Sequence, residues 1–244
     1  MAAIPLQHDI DYPESDGKPL GESDVHRNEI VDLIHALDTR YEDRPDVYVA
    51  GDLFLYYVRG QRSAVVCPDV FLVQGVAKGL RRTYKLWEEG RVPSLVIEVT
   101  SKSSRQEDVD KKALYARLGV EEYFLFDPLR EYLHPNLQGF RLQKGVYRAI
   151  APDAEGALAS GTTGLKLRRE GTHLRLVDAV SGEALPTTKE EHRLRLQAER
   201  RAAEEAAARR AAEARAAEEA AARQAAEEEL ARLRRELAER APRD

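Results

Sequence analysis

Residues 93–128 read PSLVIEVTSKSSRQEDVDKKALYARLGVEEYFLFDP, and this stretch sets the topology of the chain. It opens on an apolar run with one carboxylate, Glu98, in its middle, and closes on a second apolar run, Tyr123 to Phe126. Side chains alternate faces along a strand, so Leu95, Ile97 and Val99 point one way and Val96, Glu98 and Thr100 the other. Both faces are largely apolar, the pattern of a strand covered on both sides. Between the two runs, Val109, Ala113, Leu114, Ala116 and Leu118 supply the apolar side of a helix. Ser104 and Glu107 have the spacing of a capping box, and Gly119 stands where a glycine ends a helix. The unit reads as β-α-β, with its two strands parallel in one sheet and the helix over them.

An ionised carboxylate on such a strand is costly unless a cation, a metal or several hydrogen bonds compensate it. Glu98 is therefore either a strand-end acid paired with an arginine or a metal-binding or catalytic carboxylate, and a buried acid is a site candidate on physical grounds. Lys111 and Tyr115, four residues apart, share one face of the helix.

The chain has 244 residues, enough for one sizeable domain and an appendage. Charged residues make up 33% and nearly cancel, to a net charge of -5, so composition gives no basic footprint of nucleic-acid binding, although a local basic patch is compatible with it. The single cysteine, Cys67, excludes an internal disulfide framework and reads as a small buried side chain rather than a reactive thiol. No signal peptide and no membrane-length apolar run is present, which points to a cytoplasmic protein with no membrane partner.

Residues 1–21 are polar and turn-rich and read as an arm over the domain. A helix follows, capped by Ser23 or Asp24, with Val25, Ile30, Val31, Leu33, Ile34 and Leu37 at helical spacing. His26 and Glu29 are assigned to its solvated face. Two strand-like segments come next, DVYVAGDLFLYYV and SAVVCPDVFLVQGV, and in the second Asp69 follows Pro68 at a strand start. Residues 78–91 form a basic connection whose Lys78, Arg81, Arg82 and Lys85 either meet phosphates or are simply solvated. After Asp127, the segments GFRLQ, VYRAIAP and GLKLRREGTHLRLVD predict two or three further antiparallel strands extending the sheet. The domain closes over Gly182 to Pro186.

From about Lys189 the composition shifts, and the stretch from Arg200 to Arg240 is almost wholly Ala, Arg, Glu and Leu, all strong helix formers. Glu-before-Arg pairs four apart, from Glu205–Arg209 to Glu236–Arg240, support one long helix ended by Pro242. Leu230, Leu233 and Leu237 alone give a/d spacing, so the helix is either solitary or weakly self-associating as a coiled coil.

Pro68-Asp69, the I-E-V-T-S run around Glu98 and the K-x-x-x-Y-A-x-L-G-V-x-E-Y-F-L-F-D-P run from Lys111 to Pro128 resemble the Uma2 (DUF820) family of endonucleases, within the PD-(D/E)xK superfamily. The resemblance covers most of residues 20–186. It implies an α/β fold with a mixed sheet, a restriction-endonuclease-like core over residues 22–186, followed by the long helix of residues 187–244. It also implies Asp69 and Glu98 as ligands of Mg2+ (or Mn2+), a catalytic lysine, and DNA as substrate. The superfamily lysine belongs two residues after the glutamate, where this chain has Thr100. Lys111 matches the lysine that replaces it in Uma2-like sequences, with Lys112 and Lys102 as alternatives and a surface lysine paired with Asp108 as the bland reading. Two functions compete at this point. One is a metal-dependent endodeoxyribonuclease using Asp69, Glu98 and Lys111; the other is an inactive nuclease-fold scaffold or nucleic-acid-binding protein acting through its C-terminal helix, with homo-oligomers formed by that helix.

Overall fold

The computed structural model describes residues 12–14, 23–101 and 105–240. In chain order these residues form α1 (Asp24–Arg40), β1 (Val47–Ala50), β2 (Leu55–Tyr56), β3 (Val65–Val66), β4 (Val70–Gln74) and β5 (Tyr84–Lys85). Then come α2 (Leu86–Glu89), β6 (Leu95–Val99), α3 (Arg105–Leu118), β7 (Glu122–Phe126), β8 (Leu137–Gln143) and β9 (Val146–Ala149). Last are β10 (Leu158–Ala159), β11 (Leu165–Glu170), β12 (His173–Asp178) and α4 (Thr188–Arg240). Ser104, Lys102 and the arm outside Tyr12–Glu14 lie outside the described residues, so the capping box and one lysine alternative are left as expectations. No described helix is long and apolar enough to cross a membrane.

The central sheet has the order β1-β4-β6-β7-β8-β9. Within it β6 and β7 are parallel, from Leu95 opposite Glu122 to Val99 opposite Phe126, as the β-α-β pattern requires. The other pairings are antiparallel, so the sheet is mixed and the fold is α/β. The two faces of β6 and β7 feed two separate cores. Leu95, Ile97, Val99, Phe124 and Phe126 pack with Ile30, Leu33 and Leu37 of α1. Val96, Tyr123 and Leu125 pack with Tyr115 of α3 and with Leu55 and Tyr84 of a small sheet ordered β3-β2-β5. This two-sided burial is the physical reason for the unbroken apolar runs.

The strands after Asp127 divide differently from the sequence expectation. Only β8 and β9 extend the central sheet; β10, β11 and β12 form a sheet of their own. Its alternation explains why: Leu165, Leu167, Leu174 and Leu176 are buried in the α1-side core while Lys166 and Arg168 face outward. The layer is a lid over one sheet face rather than a continuation of its edge.

Three other expectations meet the structure here. Glu29 is 2% exposed, not solvated: it accepts from the Leu174 amide at 2.5 Å and pairs with His173 Nδ1 at 3.0 Å, tying α1 to β12. Four cations of the basic connection are paired: Arg81 with Glu89 and Lys85 with Glu88 inside it, Lys78 with Asp38 of α1 and Arg82 with Glu14. Of the residues assigned to the arm only Tyr12–Glu14 are described; the Tyr12 ring meets Tyr56 and Trp87 and its hydroxyl accepts from the Gly60 amide.

Residues Lys189–Asp244 form a second compact unit. Its helix is exposed from Glu191 to Arg235, with Leu230 and Leu233 about half exposed at 49% and 45%. Arg195 pairs with Glu199 and Arg209 with Glu213, so the described four-residue pairs run Arg-before-Glu. Leu237's side chain, the Glu236–Arg240 pair and Pro242 lie outside the described residues.

Glu122 shows how the lid is fastened. It is fully buried at the start of β7 and accepts from Ser160 Oγ at 2.5 Å, the Gly161 amide at 2.8 Å, Thr162 Oγ1 at 2.8 Å and Arg141 Nε at 2.8 Å. Burial alone would raise its pKa, but these donors outweigh burial and hold it below the usual carboxylate value. Glu122→Ala leaves those donors without an acceptor and is expected to cost about 3 kcal/mol, read as a lower urea midpoint at unchanged slope. A depressed carboxylate stabilises the fold fully above its unfolded pKa, near about 4.3, and loses that contribution as pH falls through the lower folded value. Glu122→Gln should therefore show a smaller stability loss on acidification than the wild type.

Candidate active site

The site forms where β4 begins and β6 ends. Antiparallel pairing runs from Leu72 opposite Leu95 to Val70 opposite Ile97. One further step of that register brings Asp69 level with Glu98, so two acids far apart in sequence become cross-strand neighbours. Asp69 is held by its own backbone surroundings. Its Oδ2 accepts from the Val99 amide at 2.7 Å, and the preceding carbonyl, of Pro68, accepts from the Asp52 amide at 3.1 Å. Gly51 lies so close that a Cβ there would fall 2.1 Å from the Asp69 carbonyl oxygen and 2.5 Å from Ile34 Cδ1. Only glycine permits that approach.

Glu98 is 2% exposed, and α3 meets both of its oxygens. Tyr115 donates its hydroxyl to Oε1 at 2.7 Å; Lys111 donates to Oε2 at 2.8 Å. The four-residue spacing of Lys111 and Tyr115 makes this grip a property of one helix face. Gly119, with φ +89, ends the helix one turn later by giving its amide to the Tyr115 carbonyl. Lys111 also donates to the Cys67 carbonyl at 3.2 Å and pairs with Glu107 at 3.3 Å.

The bland readings of Glu98 and Lys111 therefore give way to a mutual ion pair. Asp108, the alternative partner for Lys111, instead accepts from the hydroxyls of Thr100 and Tyr132. Thr100 thus stands where the superfamily lysine is expected and spends its hydroxyl on α3. Lys112 points elsewhere, with its ammonium over the Phe140 ring. Cys67 supplies its carbonyl to the site while burial pushes its thiol up to about 12, as an unreactive thiol should be.

His26, expected on a solvated surface, is not there. Its Nε2 lies 2.5 Å from the Val99 carbonyl and 3.5 Å from Asp69 Oδ2, with the side chain only 15% exposed. A carbonyl only accepts, so Nε2 carries the proton in this contact. The sequence held the signal: Ser23 caps α1 by accepting from the His26 amide at 3.2 Å, and His26 then falls on the stripe of Ile30, Leu33 and Leu37. A polar residue on an apolar stripe is a site candidate. Gly51 carried no such signal, because its role is a distance between two loops.

Electrostatics follow from this crowding. Burial, and next the charge of Asp69, push Glu98 up to about 8, against the opposing pull of Lys111. Burial by itself would lower Lys111, but the Glu98 and Asp69 charges raise it above the ordinary lysine value, so it stays an ammonium. Two acids share one ammonium, and because Glu98 is raised, added positive charge would favour its ionised form. Among the described residues no group of three or more His, Cys, Asp or Glu side chains is arranged to hold a metal. An ion here would rest on two carboxylates, a backbone oxygen and water. That all-oxygen set suits Mg2+, which is commonly held by one or two carboxylates while keeping several waters.

With this geometry in hand, comparisons with known proteins place the chain. A search of curated proteins returns no match. Among solved structures, a DUF820 "putative nuclease" from Anabaena variabilis ATCC 29413 is similar at 14% identity, covering 60% of this chain and 76% of its own, with a TM-score of 0.43. The family model Uma2, described as "Putative restriction endonuclease", matches residues 3–173, which include Asp69, Glu98, Lys111 and the strands and helices that carry them, and the chain belongs to that family.

Proposed function

We propose that this chain is a divalent-metal-dependent endonuclease that hydrolyses phosphodiester bonds of DNA. The observation that carries the proposal is the meeting of Asp69, Glu98 and Lys111 at one strand end, with Tyr115 on the second oxygen of Glu98. Family membership points to a nuclease. DNA as substrate and the divalent metal are what the family resemblance implies; the all-oxygen donor set and the Lys111–Glu98 pair support the roles proposed for the residues.

Asp69 and Glu98 would hold the ion, with the Val99 carbonyl, which now accepts from His26 Nε2, as the nearby backbone oxygen. Bound there, Mg2+ or Mn2+ supplies a water of lowered pKa and charge to balance the phosphorus oxygens. The residues around it have separate tasks. Tyr115 fixes Oε1, so Glu98 offers Oε2 in one orientation. The Val99 amide fixes Oδ2 of Asp69 in the same way. Lys111, held as an ammonium, orients water and balances negative charge rather than removing a proton. Lys111, whose ammonium touches Glu98 Oε2 and whose side chain lines the adjoining cavity, would supply positive charge between the ion's ligands and a bound phosphate.

The direct test is plasmid DNA and, separately, a single-stranded oligonucleotide, each incubated with the purified protein and Mg2+ or Mn2+, beside Glu98→Ala. Cleavage by the wild type, lowered at least about a hundredfold in the variant, is expected. No cleavage with either metal, or equal cleavage by both proteins, favours the scaffold reading instead. Lys111→Met separates catalysis from ion binding. It should abolish cleavage while leaving the Mn2+-induced rise in Tm intact or larger, because a competing cation has been removed. Tyr115→Phe keeps the ring in the core and removes only the hydroxyl. The expected result is a loss of about 10- to 100-fold in kcat/KM with a higher Mn2+ requirement, measured by metal titration of the cleavage rate.

A further inference from the structure

A cavity of about 540 Å3 opens beside the carboxylates, a size within the range of small-ligand sites. Lys111 belongs to both places: its ammonium touches Glu98, and its side chain lines the cavity. Whatever fills the cavity is therefore adjacent to the reacting centre. The β2–β3 side contributes the half-buried rings of Phe54 and Tyr57 together with Val65. The α3 side contributes Glu107, Lys111, Leu114 and Arg117. Those helix positions recur every three or four residues, so one face of α3 walls the cavity for about 15 Å.

The lining is wrong for a continuous duplex. Duplex DNA presents closely spaced phosphates and keeps its base faces stacked inside, so its binding depends on a track of unpaired lysines and arginines. Here Lys111 and Arg117 are balanced by Glu107 and Asp110 on the same rim. In the basic connection, Lys78, Arg81, Arg82 and Lys85 each already pair with a carboxylate, so these four do not form such a track. What the cavity does offer is aromatic surface next to a cation. Aromatic surface gains from the face of a base, and that face is free only in an unpaired nucleotide.

We infer that the site takes DNA with unpaired nucleotides beside the scissile phosphate, as in a single strand, flap or loop, with one base seated against Phe54 and Tyr57. The inference rests on the phosphodiesterase reading above and narrows its substrate.

The test is fluorescence anisotropy of the full chain in EDTA, with one short labelled oligonucleotide used alone and annealed to its complement. The single strand should bind at least about tenfold more tightly than the duplex. Tyr57→Ala should weaken single-strand binding by about tenfold and leave duplex binding unchanged, while Tyr57→Trp keeps the stacking surface and retains wild-type affinity. Circular dichroism of each variant excludes unfolding as the cause. Duplex bound as tightly as single strand, or single-strand affinity indifferent to both substitutions, overturns the inference. So does binding of neither form. In those cases metal-dependent cleavage of plasmid in parallel leaves the nuclease reading standing, and absence of all cleavage removes both.

Discussion

Glu98 is a carboxylate on a strand whose neighbours on both faces are apolar, and the arrangement of the site follows from how that charge is tolerated. Burial and Asp69 both resist its ionisation; Lys111 and Tyr115 support it, one on each oxygen. That support requires α3 to cross the sheet with a particular face down, and the parallel pairing of β6 and β7 on either side of α3 provides it. The glycine stop after Tyr115, the capped start of α1 and the missing Cβ at Gly51 all serve to deliver side chains to the same strand end. A site assembled this way is strained electrostatically before any ligand arrives: two buried acids share one ammonium, and added positive charge would relieve them.

The central β-α-β unit was legible because its signals are local. A two-sided apolar strand, a helical repeat, a glycine stop and a second apolar strand each occupy a short window, and together they require parallel pairing. Glu98 was legible for the same reason, as a charge in a place that repels charge. Asp69 and Lys111 needed the family resemblance, since a turn aspartate and a helix lysine look ordinary alone. What sequence reasoning missed is long-range. Glu29 and His26 read as solvated because they are polar, although both lie on the buried side of α1, and their partners are far away along the chain. The separate sheet of β10 to β12 was missed because an alternating strand fits a sheet edge and a lid equally well.

Thr100 marks the departure from the superfamily pattern. Its hydroxyl binds Asp108 of α3, close to the turn that carries Lys111. Strand and helix are thus fastened where a strand lysine would otherwise emerge, and the cation comes from the helix instead. The consequence is that the position of α3 governs the ammonium as well as one grip on Glu98. The described side chains that form the site all belong to the first unit, Met1–Thr188.

Everything proposed for the site depends on Asp69 and Glu98 jointly holding one divalent ion. Calorimetric titration of Mn2+ into the wild type and into Glu98→Gln, which keeps the shape of the side chain and removes its charge, addresses that dependence without requiring turnover. One Mn2+ should bind per chain, with at least about a tenfold loss of affinity in the variant. Equal Mn2+ affinity in the two proteins, or none in either, would mean that the two carboxylates do not form a metal site.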